Sequence, residues 1–230
     1  MTQNSNLYDI LASGFSARPD CACFIQADGS VLTYGQLARS VGQVATLFLD
    51  RGVEPGDRVA LQAEKSAEAV IIYLATLKAG AVFLPLNTAY TTSEVSYFLT
   101  DAEPRLFIQD APALVAEAAG LEPLKGSVAR DASDLASIIY TSGTTGRPKG
   151  VRRATFTPEQ AEATSKMLGW SYGYTDHLEG RCDPNLIVTA VIGPIYHAAP
   201  NAHSSFSIRI GATVVVTPRF DDEALLTLFD

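Results

Sequence analysis

The residues best suited to chemistry stand in one short run, Tyr140-Thr141-Ser142-Gly143-Thr144-Thr145-Gly146-Arg147-Pro148-Lys149-Gly150. Four aliphatic hydroxyls, three glycines and two cations fall within it. Glycine lets a main chain approach a ligand closely and adopt positive φ. Successive amide N–H groups in such a turn form a concavity for anions, and hydroxyls with a lysine ammonium add donors for phosphate oxygens. The pattern is not G-x-x-x-x-G-K-[ST], which runs straight into a helix. Pro148 and Gly150 discourage an immediate helix, so loop amides and hydroxyls would hold the phosphates. A plain solvent-exposed Gly/Thr turn is the competing reading. The order of the hydroxyls, the trailing Pro148-Lys149-Gly150 and the preceding apolar Ile138-Ile139-Tyr140 weigh against it.

Elements must position this loop. Residues 135–140 read as a buried β-branched strand leading into it. Upstream, 22–26 and 31–32 flank Ala27-Asp28-Gly29 and predict a hairpin. Thr33 with Gln36, and Thr91 with Glu94, are capping boxes that open helices running to about residues 50 and 101. Thr157 with Pro158 at the first helical position and Gln160 is a third helix start. Ser66 caps a helix whose Val70, Ile71, Leu74 and Leu77 form one apolar stripe. Residues 58–62, 81–86, 105–109, 185–190 and 212–217 read as strands, and 7–15, 111–119 and the stretch from Asp221 as helices. Strands alternating with helices imply βαβ units and a largely parallel sheet with helices on both faces. Residues 180–184 are the best linker. The last stripe, Leu225, Leu228 and Phe229, ends at Asp230 without a C-cap, which suggests truncation.

The 230 residues carry 17 Lys plus Arg against 25 Asp plus Glu, a net charge of −8. With 47% hydrophobic residues the chain can bury a core, and general disorder is excluded. No Lys/Arg run marks a nucleic-acid or membrane-surface binder. No apolar run reaches the ~20 residues that span a bilayer, and the first residues lack a signal-peptide pattern. Three cysteines fit a reduced, cytoplasmic setting. Cys21 and Cys23 lack a second ligand pair, so no metal site is read. Arg152-Arg153 reads as a solvated turn, Trp170 with Tyr172 and Tyr174 as a packing patch, and His177 and His203 as structural or exposed.

Residues 141–150 resemble the signature loop of the adenylate-forming (AMP-binding) superfamily, which includes acyl-CoA synthetases, luciferases and peptide-synthetase adenylation domains. Three further segments resemble that family in order: Thr33-Tyr34-Gly35-Gln36-Leu37, Gly56-Asp57-Arg58-Val59-Ala60, and Lys78-Ala79-Gly80-Ala81-Val82-Phe83-Leu84-Pro85-Leu86-Asn87. The resemblance implies a layered helix-sheet-helix α/β fold with largely parallel sheets. It implies a first subdomain over about 46–180 and a second, discontinuous one from 1–45 plus 181–230. It also implies that the C-terminal lid domain is absent from this chain, leaving a fragment that would be inactive alone. The expected activity joins a carboxylic acid to AMP from ATP, with Mg2+, and then to coenzyme A. Thr141, Ser142, Gly143, Thr144, Thr145, Gly146 and Lys149 would bind the ATP phosphates, with Thr141 and Lys149 acting in catalysis. Pro194-Ile195-Tyr196-His197 is similar to the family's P-x-[FY]-H segment, so Tyr196 and His197 would border the acyl pocket and His197 would orient the carboxylate. The first half looks most like malonyl-CoA synthetases and the second more like bacterial medium- or long-chain fatty acyl-CoA synthetases. A non-catalytic nucleotide- or acyl-binding remnant, or a phosphotransferase using the same loop, are the alternatives.

Overall fold

The computed structural model describes residues 4–15, 17–141, 148–181, 183 and 187–227. In chain order the elements are α1 (Leu7–Leu11), β1 (Ala22–Gln26), β2 (Val31–Thr33), α2 (Tyr34–Asp50), β3 (Arg58–Leu61) and α3 (Ala67–Lys78). They continue as β4 (Val82–Pro85), α4 (Thr92–Ala102), β5 (Leu106–Ile108), α5 (Ala111–Ala118), β6 (Leu135–Thr141) and β7 (Lys149–Ala154). The last are α6 (Pro158–Ser171), α7 (Thr175–Leu178), β8 (Val188–Val191), α8 (Ala198–Ile210), β9 (Thr213–Val216) and α9 (Asp222–Thr227).

Helix starts follow local chemistry. Thr33, Thr91 and Thr157 each accept from the amide three residues on, while Gln36, Glu94 and Gln160 accept from the cap's own N–H. Both orphan donors are thereby satisfied. Ser66 and Asp110 cap α3 and α5 in the simpler one-bond form.

Five strands form one sheet in the order β5-β3-β4-β6-β7, and four form another in the order β2-β1-β9-β8. All pairings are parallel except the two edge hairpins, β1–β2 and β6–β7. The architecture is α/β with largely parallel sheets, as the alternating pattern predicts. Side chains alternate across the five-stranded sheet. Val59, Leu61 and Phe83 enter the main core with α2, α3 and α5. Ala60 and Leu84 point the other way, into a second cluster with Phe98 of α4 and Tyr140 of β6. The main core also takes in Phe24 and Val214 of the four-stranded sheet, so apolar packing joins the two sheets. Tyr34 strengthens that sheet's flank by donating its buried hydroxyl to the carbonyls of Ala212 (2.7 Å) and Ile208 (3.1 Å).

Two expectations are corrected. Arg152 and Arg153 lie in β7, not in a solvated turn, with Ile138 opposite Arg152 and Ser137 opposite Arg153. Every residue of β7 is exposed, so no apolar alternation announces it; the ladder with β6 alone makes it a strand. Trp170 is 78% exposed and stands outside the aromatic patch. Tyr172 and Tyr174 instead pack on Phe206 of α8, at ring distances of 6.0 and 6.3 Å. Two helical residues separate by about 200°, which turns Trp170 outward. Leu228 and Phe229 lie outside the described residues, as does part of 180–184.

Candidate functional site

Parallel α/β sheets bind ligands at the carboxyl ends of their strands, and the chemistry-bearing loop opens there. Thr141 is the last residue of β6 and Lys149 the first of β7, and the two are direct partners across the antiparallel ladder. Opposite residues lie about 5 Å apart in such a ladder. A hydroxyl and an ammonium therefore flank the mouth of the loop, both exposed to a ligand. Ser142, Gly143, Thr144, Thr145 and Gly146 lie outside the described residues.

The base of the loop is anchored firmly. Tyr140 is buried and donates its hydroxyl to the Asp101 carboxylate on α4. Burial, then the hydrogen bond and negative charge of Asp101, push the Tyr140 phenol well above its ordinary range. Across the ladder stands Gly150. A Cβ there would come within 2.9 Å of Ile138 Cγ2 and 3.5 Å of the Tyr140 ring, so a side chain would force β7 away. Tyr97 of α4 donates to the Pro148 carbonyl at 3.3 Å, fixing the far leg of the loop.

The second predicted group sits beyond β8. His197 closes a turn by donating its amide to the Pro194 carbonyl (3.0 Å), and it is the N-cap position of α8. Its side chain makes no capping bond and is exposed. The Tyr196 and His197 rings lie 4.8 Å apart. Partial burial, then the charge of Glu64, raises the Tyr196 phenol.

An aromatic row extends from the base of the loop. Tyr140 packs on Phe98 (4.5 Å) and Phe98 on Tyr90 (4.8 Å). The Tyr90 phenol is raised by burial first, then by the charges of Glu94 and Tyr196. The structure thus brings Thr141 and Lys149 face to face at one hairpin, and Tyr196 and His197 together at the turn before α8.

Sequence reasoning missed the Tyr140–Asp101 pair and Lys65. Lys65 is only 4% exposed and donates its Nζ to the carbonyls of Val191 and Ile192, the latter at 2.7 Å. Its acceptors are main-chain carbonyls, which carry no signal in residue types. Burial lowers its ammonium below the ordinary lysine range. Glu64 forms an exposed ion pair with Arg219, 3.7 Å away beyond β9. His203, read as structural or exposed, is partly buried, with Nε2 2.9 Å from the Thr189 hydroxyl and its ring edge-on to Tyr172 at 4.6 Å. Cys23 is buried and Cys21 partly so; both are free thiols. Among the described residues no group of His, Cys, Asp and Glu could cage a metal ion, and no helix is long and apolar enough to cross a membrane. A Mg2+ ion commonly binds through substrate phosphates and retained waters rather than a protein cage. The hydroxyl and ammonium at the loop mouth suit phosphate oxygens, so any Mg2+ here would be one carried on those phosphates.

Residues 13–230 match the AMP-binding enzyme family. Tyrocidine synthase 3 of Brevibacillus parabrevis is 33% identical over 169 residues, covering 65% of this chain and 2% of that protein. ATP-bound MatB from Rhodopseudomonas palustris superposes with a TM-score of 0.78 at 33% identity, over 98% of this chain and 48% of MatB. A Mycobacterium tuberculosis fatty acyl CoA synthetase shares the fold, with a TM-score of 0.78 at 22% identity over 98% of this chain and 47% of its own. The chain therefore spans about half the length of these solved relatives and a small part of the peptide synthetase.

Proposed function

The chain belongs to the AMP-binding enzyme family, and on that premise we propose that it grips ATP and presents a carboxylic acid to the α-phosphate. The observation that carries this reading is the opposition of Thr141 and Lys149 across the hairpin mouth, at the carboxyl edge of a parallel sheet. Lys149 and the hydroxyls of Thr141, Ser142, Thr144 and Thr145 hold the β- and γ-phosphates, with Gly143 and Gly146 letting the main chain close on them. Thr141, at the strand end, is nearest the α-phosphate. Mg2+ bound to the nucleotide supplies charge neutralisation when present.

Chemically, the carboxylate oxygen forms a bond to the α-phosphorus while the bond to the bridging oxygen breaks, and pyrophosphate leaves with that electron pair. In the second half-reaction the thiol sulfur of coenzyme A bonds to the acyl carbon while the acyl carbon–oxygen bond breaks, AMP leaves with that electron pair, and the thiol proton passes to solvent. Two anions must meet in the first step, so the protein's task is positioning and charge stabilisation. His197, exposed beside Tyr196, orients the carboxylate, and Tyr196 forms the pocket wall. No side-chain nucleophile is required.

Two acid classes have support. The N-terminal motifs favour a malonyl-type acid. An acid with a hydrocarbon tail is favoured by a cavity of about 380 Å3 lined by Leu11, Tyr73, Leu168, Phe206, Asn201 and Arg209 among others. Asn201 stands one helical turn beyond His197 on α8. The test is product analysis with ATP, Mg2+ and either malonate or octanoate. Pyrophosphate released only when acid is present supports adenylation, and the preferred acid names the class. Release of ADP instead would replace this reading with phosphotransfer.

A further inference from the structure

We propose that Lys65 is a positioning residue that ties the turn bearing Tyr196 and His197 to the loop after β3, and so holds the acid side of the site in place. This rests on the reading that the turn borders the carboxylic acid.

An ammonium is costly to remove from water unless strong acceptors replace its hydration. Lys65 is nonetheless almost wholly buried, between the end of β3 and the start of α3. Its two acceptors are the carbonyls of Val191, the last residue of β8, and Ile192, the next one. One carbonyl is at the end of an edge strand and the other just beyond it, so the lysine bonds the chain where the ladder stops. β3 belongs to the five-stranded sheet and β8 to the four-stranded sheet. The bonds therefore cross between sheets at their carboxyl ends, five residues before His197 at their nearest. Glu64 makes the same crossing with Arg219 after β9, although that pair is exposed and weak. Buried charge-assisted hydrogen bonds are the stronger kind, which makes Lys65 the principal tie. Neither carbonyl contact lies in the phosphate loop, so the effect of losing it is directed at the acid rather than at ATP.

The variants Lys65→Met, which keeps length and apolar stem without donors, and Lys65→Arg, which keeps donors, separate the possibilities. Amide hydrogen exchange over 192–199 is expected to quicken about tenfold or more in Lys65→Met while amides of β3 and β4 stay unchanged. Lys65→Arg is expected to restore most of that protection. In acid-dependent pyrophosphate release, the half-saturating concentration of malonate or octanoate is expected to rise at least about fivefold, with that of ATP changed less than about twofold. Unchanged exchange at 192–199 would overturn the tie. Faster exchange with equal shifts for acid and ATP would overturn the positioning role and leave a structural one. If the wild-type protein neither releases pyrophosphate with either acid nor binds Mg·ATP in calorimetry, the functional reading fails, while the exchange result still decides whether Lys65 holds the turn. Should Lys65→Met not fold, Lys65→Gln is measured in the same way.

Discussion

At the scale of single residues, His203 illustrates how burial turns into pH dependence. The ring is partly buried, bonded to Thr189 and edge-on to Tyr172, and desolvation lowers its pKa from the ordinary 6.5. The unfolded chain therefore takes up the proton first as pH falls. The stabilisation is fully present above about pH 6.5 and is lost as pH falls through the folded-state value. Replacing the ring by an amide in His203→Gln removes this contribution. Urea unfolding at about pH 7.5 and about pH 5 should show a smaller acid-side loss of stability in the variant than in the wild type. An equal loss would assign the acid sensitivity to other groups. Residue types make Thr141, Lys149, Tyr196 and His197 legible as candidates, because hydroxyl, cation and motif order are written in the chain. Lys65 and Tyr140 are illegible, since their partners are carbonyls and a carboxylate brought near only by folding.

At the scale of elements, the capped helices are read correctly because capping chemistry is local. Thr33, Thr91 and Thr157 each need only a partner three residues away. β7 escapes because its exposed face leaves no periodic signal. Gly42 in α2 shows a second limit. Intrinsic propensity favours alanine over glycine in a helix by about 1 kcal/mol. Yet a Cβ at Gly42 would come within 2.7 Å of Pro123 Cβ and 3.2 Å of its Cα. That loop is held against α2 by Gln43, which donates to the Ala119 carbonyl (2.7 Å), and by Thr46, which donates to that of Glu122 (2.7 Å). The clash is thus against pinned backbone, and overpacking of this kind costs about 1–3 kcal/mol. Gly42→Ala should lower unfolding free energy by a net ~1 kcal/mol. A stabilised variant in urea would show that the loop yields instead.

At the scale of the whole molecule, two sheets are interleaved in sequence. β1 pairs with β9, Phe24 beside Val214, with the entire five-stranded sheet lying between them in the chain. Such long-range pairing leaves no trace in local periodicity, whereas the fold class follows from simple alternation. The carboxyl ends of both sheets converge on the same region through Lys65 and the Glu64–Arg219 pair. The aromatic row from Tyr140 to Tyr90 packs in the second apolar cluster of the five-stranded sheet. On the proposed function, this convergence is what would let a phosphate loop on one sheet and an acid-binding turn on the other serve one reaction.

On the proposed function, the hairpin mouth of β6 and β7 holds a nucleotide polyphosphate. Lys149 is exposed at that mouth, so Lys149→Ala should fold with unchanged stability. Titration calorimetry with Mg·ATP on wild type and Lys149→Ala tests the claim directly. The predicted result is affinity weakened at least about tenfold, or ~1.4 kcal/mol, in a variant whose urea midpoint matches wild type. Equal ATP affinity in the two proteins would contradict the claim.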